Sequence, residues 1–225
     1  MKKKLSLKDF TPALILLLFT LVFCILCFVV DVAVIGPKDS SVGFATINGA
    51  FAKQFQFNEM LYKISDYLGC LSILGVVIFA CLGIYQLIKG KGFKAVDQVI
   101  YLLGAIFLLI FLLYVGFDKL ALNFRPIVMP DQIELEASFP SSHTLMACTV
   151  MGAIAIALPN FLSNPKTLKA LRILCLVILA ATVLCRLLCG AHWVTDILAG
   201  LLISITFLSF FKVFYIALTN GKETK

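Results

Sequence analysis

The chain has 225 residues, 61% of them hydrophobic and only 14% charged, with a mean hydropathy of +1.05. A water-soluble domain is about half apolar and a quarter charged, so the composition excludes one and points to an all-α integral membrane protein. The net charge of +7 suits anionic lipid headgroups, and with so few exposed residues it gives no argument for a nucleic-acid partner.

Four lysines in residues 1–8 precede an apolar run over 10–30. That run is long enough to cross about 30 Å of hydrocarbon, and no small-x-small cleavage pattern follows it cleanly, so it reads as a first span rather than a signal peptide. Residues 31–63 connect it to the next. Within them Phe44, Ile47, Phe51 and Phe55 recur every three or four positions, as in a short helix lying in the interface or a loop packed on the bundle. A second span covers 67–88 without a charge, a basic turn covers 89–94, and a third span runs over 98–117. The polar segment 118–142 contains Lys119, Arg125-Pro126 and an acidic stretch at 131–136. That stretch reads as a solvated loop, with a lid that pairs with nearby cations or a cation site as alternatives. A fourth span over 142–158 ends at Pro159-Asn160. The fifth begins near 168 and ends near 185, with Arg172 snorkelling to the boundary, and the sixth covers 193–218. The eight cysteines, including the Cys24/Cys27 C-x-x-C pair, lie in or beside these runs, where cysteine packs as a small hydrophobe. The expected architecture is one membrane domain over 1–225 with six transmembrane helices, its chemistry concentrated in about 118–218.

Six spans put both termini on one side. With them fall Lys2, Lys3, Lys4, Lys8, Lys89, Lys91, Lys94, Lys166, Lys169, Arg172, Lys212, Lys222 and Lys225; on the other side fall Lys38, Lys53, Lys63, Lys119, Arg125 and Arg186. The positive-inside bias therefore predicts a multi-pass cell-membrane protein with cytoplasmic termini.

Both histidines of the chain, His143 and His192, sit where a span begins on the outer side. Charged groups at a membrane boundary are costly to desolvate and mark function by default. His192 and Asp196 are four apart, so on a helix starting near Trp193 they share a face. The aspartate can then accept one imidazole N–H and leave the other nitrogen free. Arg186 lies six residues upstream, across a Cys-Gly-Ala break. Pro140-Ser141-Ser142-His143 opens another helix, where free backbone N–H groups and the helix dipole make an anion site; a plain N-cap explains the serines equally well. Lys119 and Arg125 end the third span on the same side, as phosphate ligands or as snorkelling cations.

Taken together, these clusters resemble the type 2 phosphatidic acid phosphatases, which share a helical-bundle fold with the vanadium haloperoxidases. The family signature is lysine, six residues, arginine-proline; then proline-serine-glycine-histidine; then serine-arginine, five residues, histidine, three residues, aspartate. Here Arg186, His192 and Asp196 keep the third spacing with Cys185 in place of serine, and Ser142 replaces the glycine of the second. The first motif is one residue short between Lys119 and Arg125-Pro126. On a helix that rotates Lys119 by about 100° and puts Asp118 at the lysine position; the expectation is that the loop absorbs the slip.

The resemblance implies a metal-independent lipid phosphatase without cofactors, working on the extracytoplasmic face. His192 would be the nucleophile that forms a phosphohistidine, Asp196 its positioning partner, and His143 the general acid and later base. Lys119, Arg125, Ser141, Ser142 and Arg186 would hold the phosphate oxygens. Implied substrates are undecaprenyl or other polyprenyl pyrophosphate, phosphatidylglycerol phosphate, phosphatidic acid or a lipid A phosphate, with membrane lipids as surroundings. Competing readings are a phosphotransferase of the same architecture, a small transporter using the histidines as a proton relay, and a metal site built from the two histidines and Asp196.

Overall fold

The structure, a computed structural model, describes residues 5–130 and 132–219. Lys2, Lys3, Lys4, Asp131, Lys222 and Lys225 of the sequence reading lie outside them. Seven α-helices are present among the described residues: α1 (Leu7–Val29), α2 (Ala45–Gln54), α3 (Glu59–Lys89), α4 (Gln98–Leu120), α5 (Ser142–Ala157), α6 (Pro165–Leu188) and α7 (Val194–Thr219). Six of them, all but α2, are long and apolar enough to cross a membrane. The chain is a multi-pass membrane protein with the expected six spans.

Local chemistry sets the boundaries. Asn58 caps α3 by accepting Leu61 N–H at 3.0 Å, Asp97 caps α4 through Val99 N–H at 2.8 Å, and Asn164 caps α6 with Pro165 in its first turn. These caps correct two expectations. The second span begins at Glu59, not near 67, because the cap precedes the charged turn. At about 1.5 Å per residue this helix is about 46 Å long, longer than the roughly 30 Å that the hydrocarbon needs. The fifth span runs to Leu188, which puts Arg186 on the helix instead of after it. The 31–63 segment holds the expected short helix, α2, plus a hairpin the sequence did not announce, β1 (Ala33–Val34) antiparallel to β2 (Ser41–Val42).

α5 is the most buried of the six and packs against α3, α4, α6 and α7, while α1 lies on α7. Its small residues Ala147, Ala153 and Ala157 are fully buried, letting neighbours approach closely. Val99, Leu103 and Ile106 of α4 meet Val150, Met151 and Ile154 of α5 in the core. Two hydroxyl pairs join helices inside the bundle, Thr20–Thr206 at 2.8 Å and Thr149–Ser204 at 3.0 Å, each contributing roughly 0.6 kcal/mol by analogy with measured intramembrane pairs. Large apolar side chains on the outside, such as Leu18 and Ile78, face lipid rather than water.

Candidate active site

The polar residues gather at the end of the bundle that carries the 31–58 and 121–141 connections. α6 ends at Leu188, and Gly190 turns the chain at φ +68. A side chain there would be strained and would meet the Phe55 carbonyl oxygen at 2.5 Å, so only glycine fits this turn. The turn sets His192 just before α7, not on it.

Consequently His192 and Asp196 do not pair directly. The Nδ1–Oδ2 distance is 3.8 Å, beyond hydrogen-bond range, and Ser138 fills the gap. His192 Nδ1–H donates to Ser138 Oγ at 3.1 Å, and the Ser138 hydroxyl donates to Asp196 Oδ2. Asp196 also accepts Trp193 N–H at 3.1 Å, as the acid of a capping box does. Ser138 is delivered by a short clasp: Arg125 N–H donates to Glu136 O at 3.1 Å and Ser138 N–H to Asn123 O at 2.8 Å. With Nδ1 engaged, His192 Nε2 is left buried and unpartnered on the wall of a cavity of about 510 Å³. Burial, then the Arg125 and Arg186 guanidiniums, hold His192 well below the usual imidazole range, so the ring is neutral at pH 7 with Nε2 carrying a lone pair.

His143, Ser142 and Arg125 line the same cavity, so both imidazoles face one space. The Ser141 N–H is already given to Asp196 O at 3.0 Å and its Oγ is buried without a partner. Its hydroxyl, rather than its backbone donor, is therefore what the helix start has to offer. Arg125 is almost buried and pairs with Glu136 at 3.0 Å. Arg186 is fully buried and sits 4.4 Å from the Tyr62 ring centroid, a cation–π distance; its Nε and Nη1 have no partner.

Lys119 does not join the group. It is exposed, while Asp118 lines the cavity wall. The shortened spacing is not absorbed: α4 continues to Leu120, so the helix carries the one-residue slip through to the side chains. The acidic stretch divides. Ile133 and Glu134 are exposed, with Lys38 donating to Ile133 O at 2.7 Å, but Glu136 turns inward on Arg125, which corrects the solvated-loop expectation for that residue.

Tyr62, Asp66 and Ser138 are not announced by the sequence, whereas Glu136 follows the alternative of an acidic stretch that pairs with nearby cations. Asp66 Oδ1 contacts both Arg186 Nη2 and His143 Nε2, the latter at 3.1 Å. Tyr62, Asp66 and Gly69 follow the i, i+4, i+7 spacing of one helical face, a signal that emerges only with α3 starting at Glu59. A second, apolar cavity of about 460 Å³ lies between α3, α4 and α5 and shares Tyr114, Ser142, His143 and Leu145 with the first. Among the described residues no three His, Cys, Asp or Glu side chains form a metal-binding group.

A profile of the PAP2 superfamily matches residues 120–219, a segment that contains Arg125, Ser138, His143, Arg186, His192 and Asp196. That segment, a little under half of the chain, is similar to the PAP2 superfamily. The structure is similar to the crystal structure of a transmembrane PAP2-type phosphatidylglycerolphosphate phosphatase from Bacillus subtilis, with a TM-score of 0.60, 23% identity, and coverage of 95% of this chain and 97% of that one. No curated protein matches the sequence. The PAP2 profile starts one residue after Lys119, whose side chain the geometry also leaves out, and it does not reach Tyr62 and Asp66.

Proposed function

We propose that the protein is a membrane lipid phosphatase that cleaves a phosphomonoester or diphosphate through a phosphohistidine on His192. The observation that carries this reading is the free, buried Nε2 of a neutral His192, with Nδ1 tied through Ser138 to Asp196, on a cavity shared with His143 and Arg125. In the first step Nε2 bonds to phosphorus and the bond from phosphorus to the lipid oxygen breaks. His143 gives that oxygen a proton. Asp196, through Ser138, compensates the positive charge that develops on the His192 ring. In the second step water attacks phosphorus, His143 takes its proton, the P–N bond breaks and phosphate leaves. General acid–base help of this kind is worth roughly 10²–10⁴ in rate. Arg125, Arg186 and the Ser141 and Ser142 groups supply the charge stabilisation that phosphoryl transfer needs. The scheme routes no step through a metal.

The substrate's apolar chain has a place to lie. The 460 Å³ cavity is lined by Ile73, Val76, Phe107, Phe111 and Met146 and shares His143 and Ser142 with the catalytic cavity, so a lipid chain there would leave its phosphate beside the imidazoles. The match to a phosphatidylglycerolphosphate phosphatase puts that lipid on the panel beside phosphatidic acid and polyprenyl pyrophosphate. The cation-rich end with Lys89, Lys91, Lys94, Lys166 and Lys169 lies opposite the site, which supports cytoplasmic termini and an extracytoplasmic site. The test is phosphate release from that panel in chelator, with and without an acceptor alcohol, beside His192→Ala. Phosphate released by the wild type alone, without phosphorylated acceptor, is the expected result; equal rates for wild type and variant on every lipid contradict the reading.

A further inference from the structure

Arg125 and His143 line the catalytic cavity, and behind His143 a carboxylate that does not line it already engages two of the site's groups. Asp66 Oδ1 bridges Arg186 and His143, two groups that the phosphatase reading assigns to the phosphoryl group. Arg186 is fully buried and does not line the cavity. It meets Asp66 on one side and the Tyr62 ring on the other, while its Nε and Nη1 have no acceptor. A buried guanidinium with unused donors costs free energy unless an anion is near. The anion beside it in the structure is Asp66. The carboxylate is not locked in place: 40% of its side chain is exposed. The helix is held against the site by Gly69, where a Cβ would lie 3.2 Å from His143 Cδ2.

We propose that Asp66 is a specificity-determining residue, an internal counter-anion whose oxygen occupies the position of a phosphate oxygen between Arg186 and His143 until the substrate displaces it. Every anion entering the site must first break the Asp66 contacts and then tolerate the displaced carboxylate nearby. A phosphomonoester dianion or a diphosphate gains enough from Arg125, Arg186 and the α5 N-terminus to do so. A phosphodiester carries a single negative charge and offers fewer free oxygens, so it does not. This matters in a bilayer, where phosphodiester headgroups surround the site at high local concentration and would otherwise fill it. The proposal rests on the phosphatase reading of the same site and adds the charge threshold to it.

The test is equilibrium binding of radiolabelled inorganic phosphate to the full-length protein in detergent, with dimethyl phosphate as competitor, in parallel with kcat and KM on a lipid phosphate. Asp66→Asn, which keeps the shape and removes the charge, is expected to bind phosphate about tenfold more tightly, to lower KM without raising kcat, and to become sensitive to dimethyl phosphate where the wild type is not. Asp66→Glu, which keeps the carboxylate, is expected to stay at wild-type affinity. Asp66→Ser serves in the same way if the asparagine variant does not fold. Unchanged or weaker phosphate binding in the uncharged variants overturns the proposal and leaves the phosphatase reading standing. A wild type that binds no phosphate at all overturns both. Equal tightening by Asp66→Glu also overturns it, because the charge would then not be the cause.

Discussion

Ser138 separates a histidine–aspartate pair into a three-member relay, and this has measurable consequences. With Ser138→Ala the His192 Nδ1–H loses its acceptor and Asp196 Oδ2 loses a donor. Second-shell partners of this kind are worth 10- to 100-fold, so kcat is expected to fall by about that factor with KM little changed, and steady-state kinetics check it. The ring's acid–base behaviour gives a second prediction. Its pKa is depressed by burial first and by Arg125 next, so removing the cation in Arg125→Leu raises it. The acid limb of the kcat/KM profile should then move to higher pH. The same depression links to stability. Below pH about 6.5 the unfolded chain takes up a proton at this residue that the folded one refuses, and stability is lost at up to about 1.4 kcal/mol per pH unit. His192→Gln should flatten the fall of Tm between pH 7 and pH 5 relative to wild type. At this scale the sequence was informative for Arg186, His192, Asp196, His143 and Arg125, whose types and spacing single them out and which the structure brings to one end of the bundle. It was silent on Ser138, because a serine two residues before Pro140 is unremarkable until the 123–125 and 136–138 segments pair.

At the scale of elements, α3 contributes more than a hydrophobic span. Its outer turns present Tyr62 to Arg186, Asp66 to Arg186 and His143, and the bare backbone of Gly69 to the His143 ring. Gly69→Val should push the imidazole from its place and lower kcat by about 10²-fold, the effect of a displacement near 1 Å. Gly104→Ala on α4, where an added Cβ meets nothing within 4 Å, is the matched control and should leave kcat unchanged. The Gly190 turn predicts a different outcome: Gly190→Ala strains a left-handed position and strikes the Phe55 carbonyl, so thermal denaturation should show a loss of about 1–3 kcal/mol. The existence of all six spans was legible from hydropathy, the fifth only by letting Arg172 snorkel at its boundary. The missed features are helix ends. Asn58 caps α3 ahead of a charged turn, and α6 carries Arg186 in its last turn because Tyr62 and Asp66 shelter the charge there. Both depend on a neighbouring helix, which a pattern read along one segment does not contain. Lys119 shows the opposite case, where a motif's order was kept but helical rotation took the side chain away from the cavity.

For the whole molecule, a buried α5 surrounded by α3, α4, α6 and α7 brings residues from five separate stretches of chain to one end of the bundle. An apolar cavity between α3, α4 and α5 and a polar one share His143 in their walls, and on the proposed reading the boundary between lipid chain and phosphate would fall on that imidazole. The orientation across the membrane is open to a direct test. Lys38→Cys in the hairpin should react with an impermeant thiol reagent added to intact cells, and Lys91→Cys in the turn after α3 should react only after lysis. The claim on which the whole account turns is covalent, and it is best tested by trapping the intermediate. His143→Asn protein, lacking the base of the hydrolytic step, is mixed with an aryl phosphate, whose leaving oxygen needs no proton from His143, then quenched in alkali, digested and analysed by mass spectrometry. The account predicts phosphate on His192, acid-labile and absent from the His143→Asn/His192→Ala double variant. Phosphate on another residue, or full wild-type turnover by His192→Ala, would contradict it.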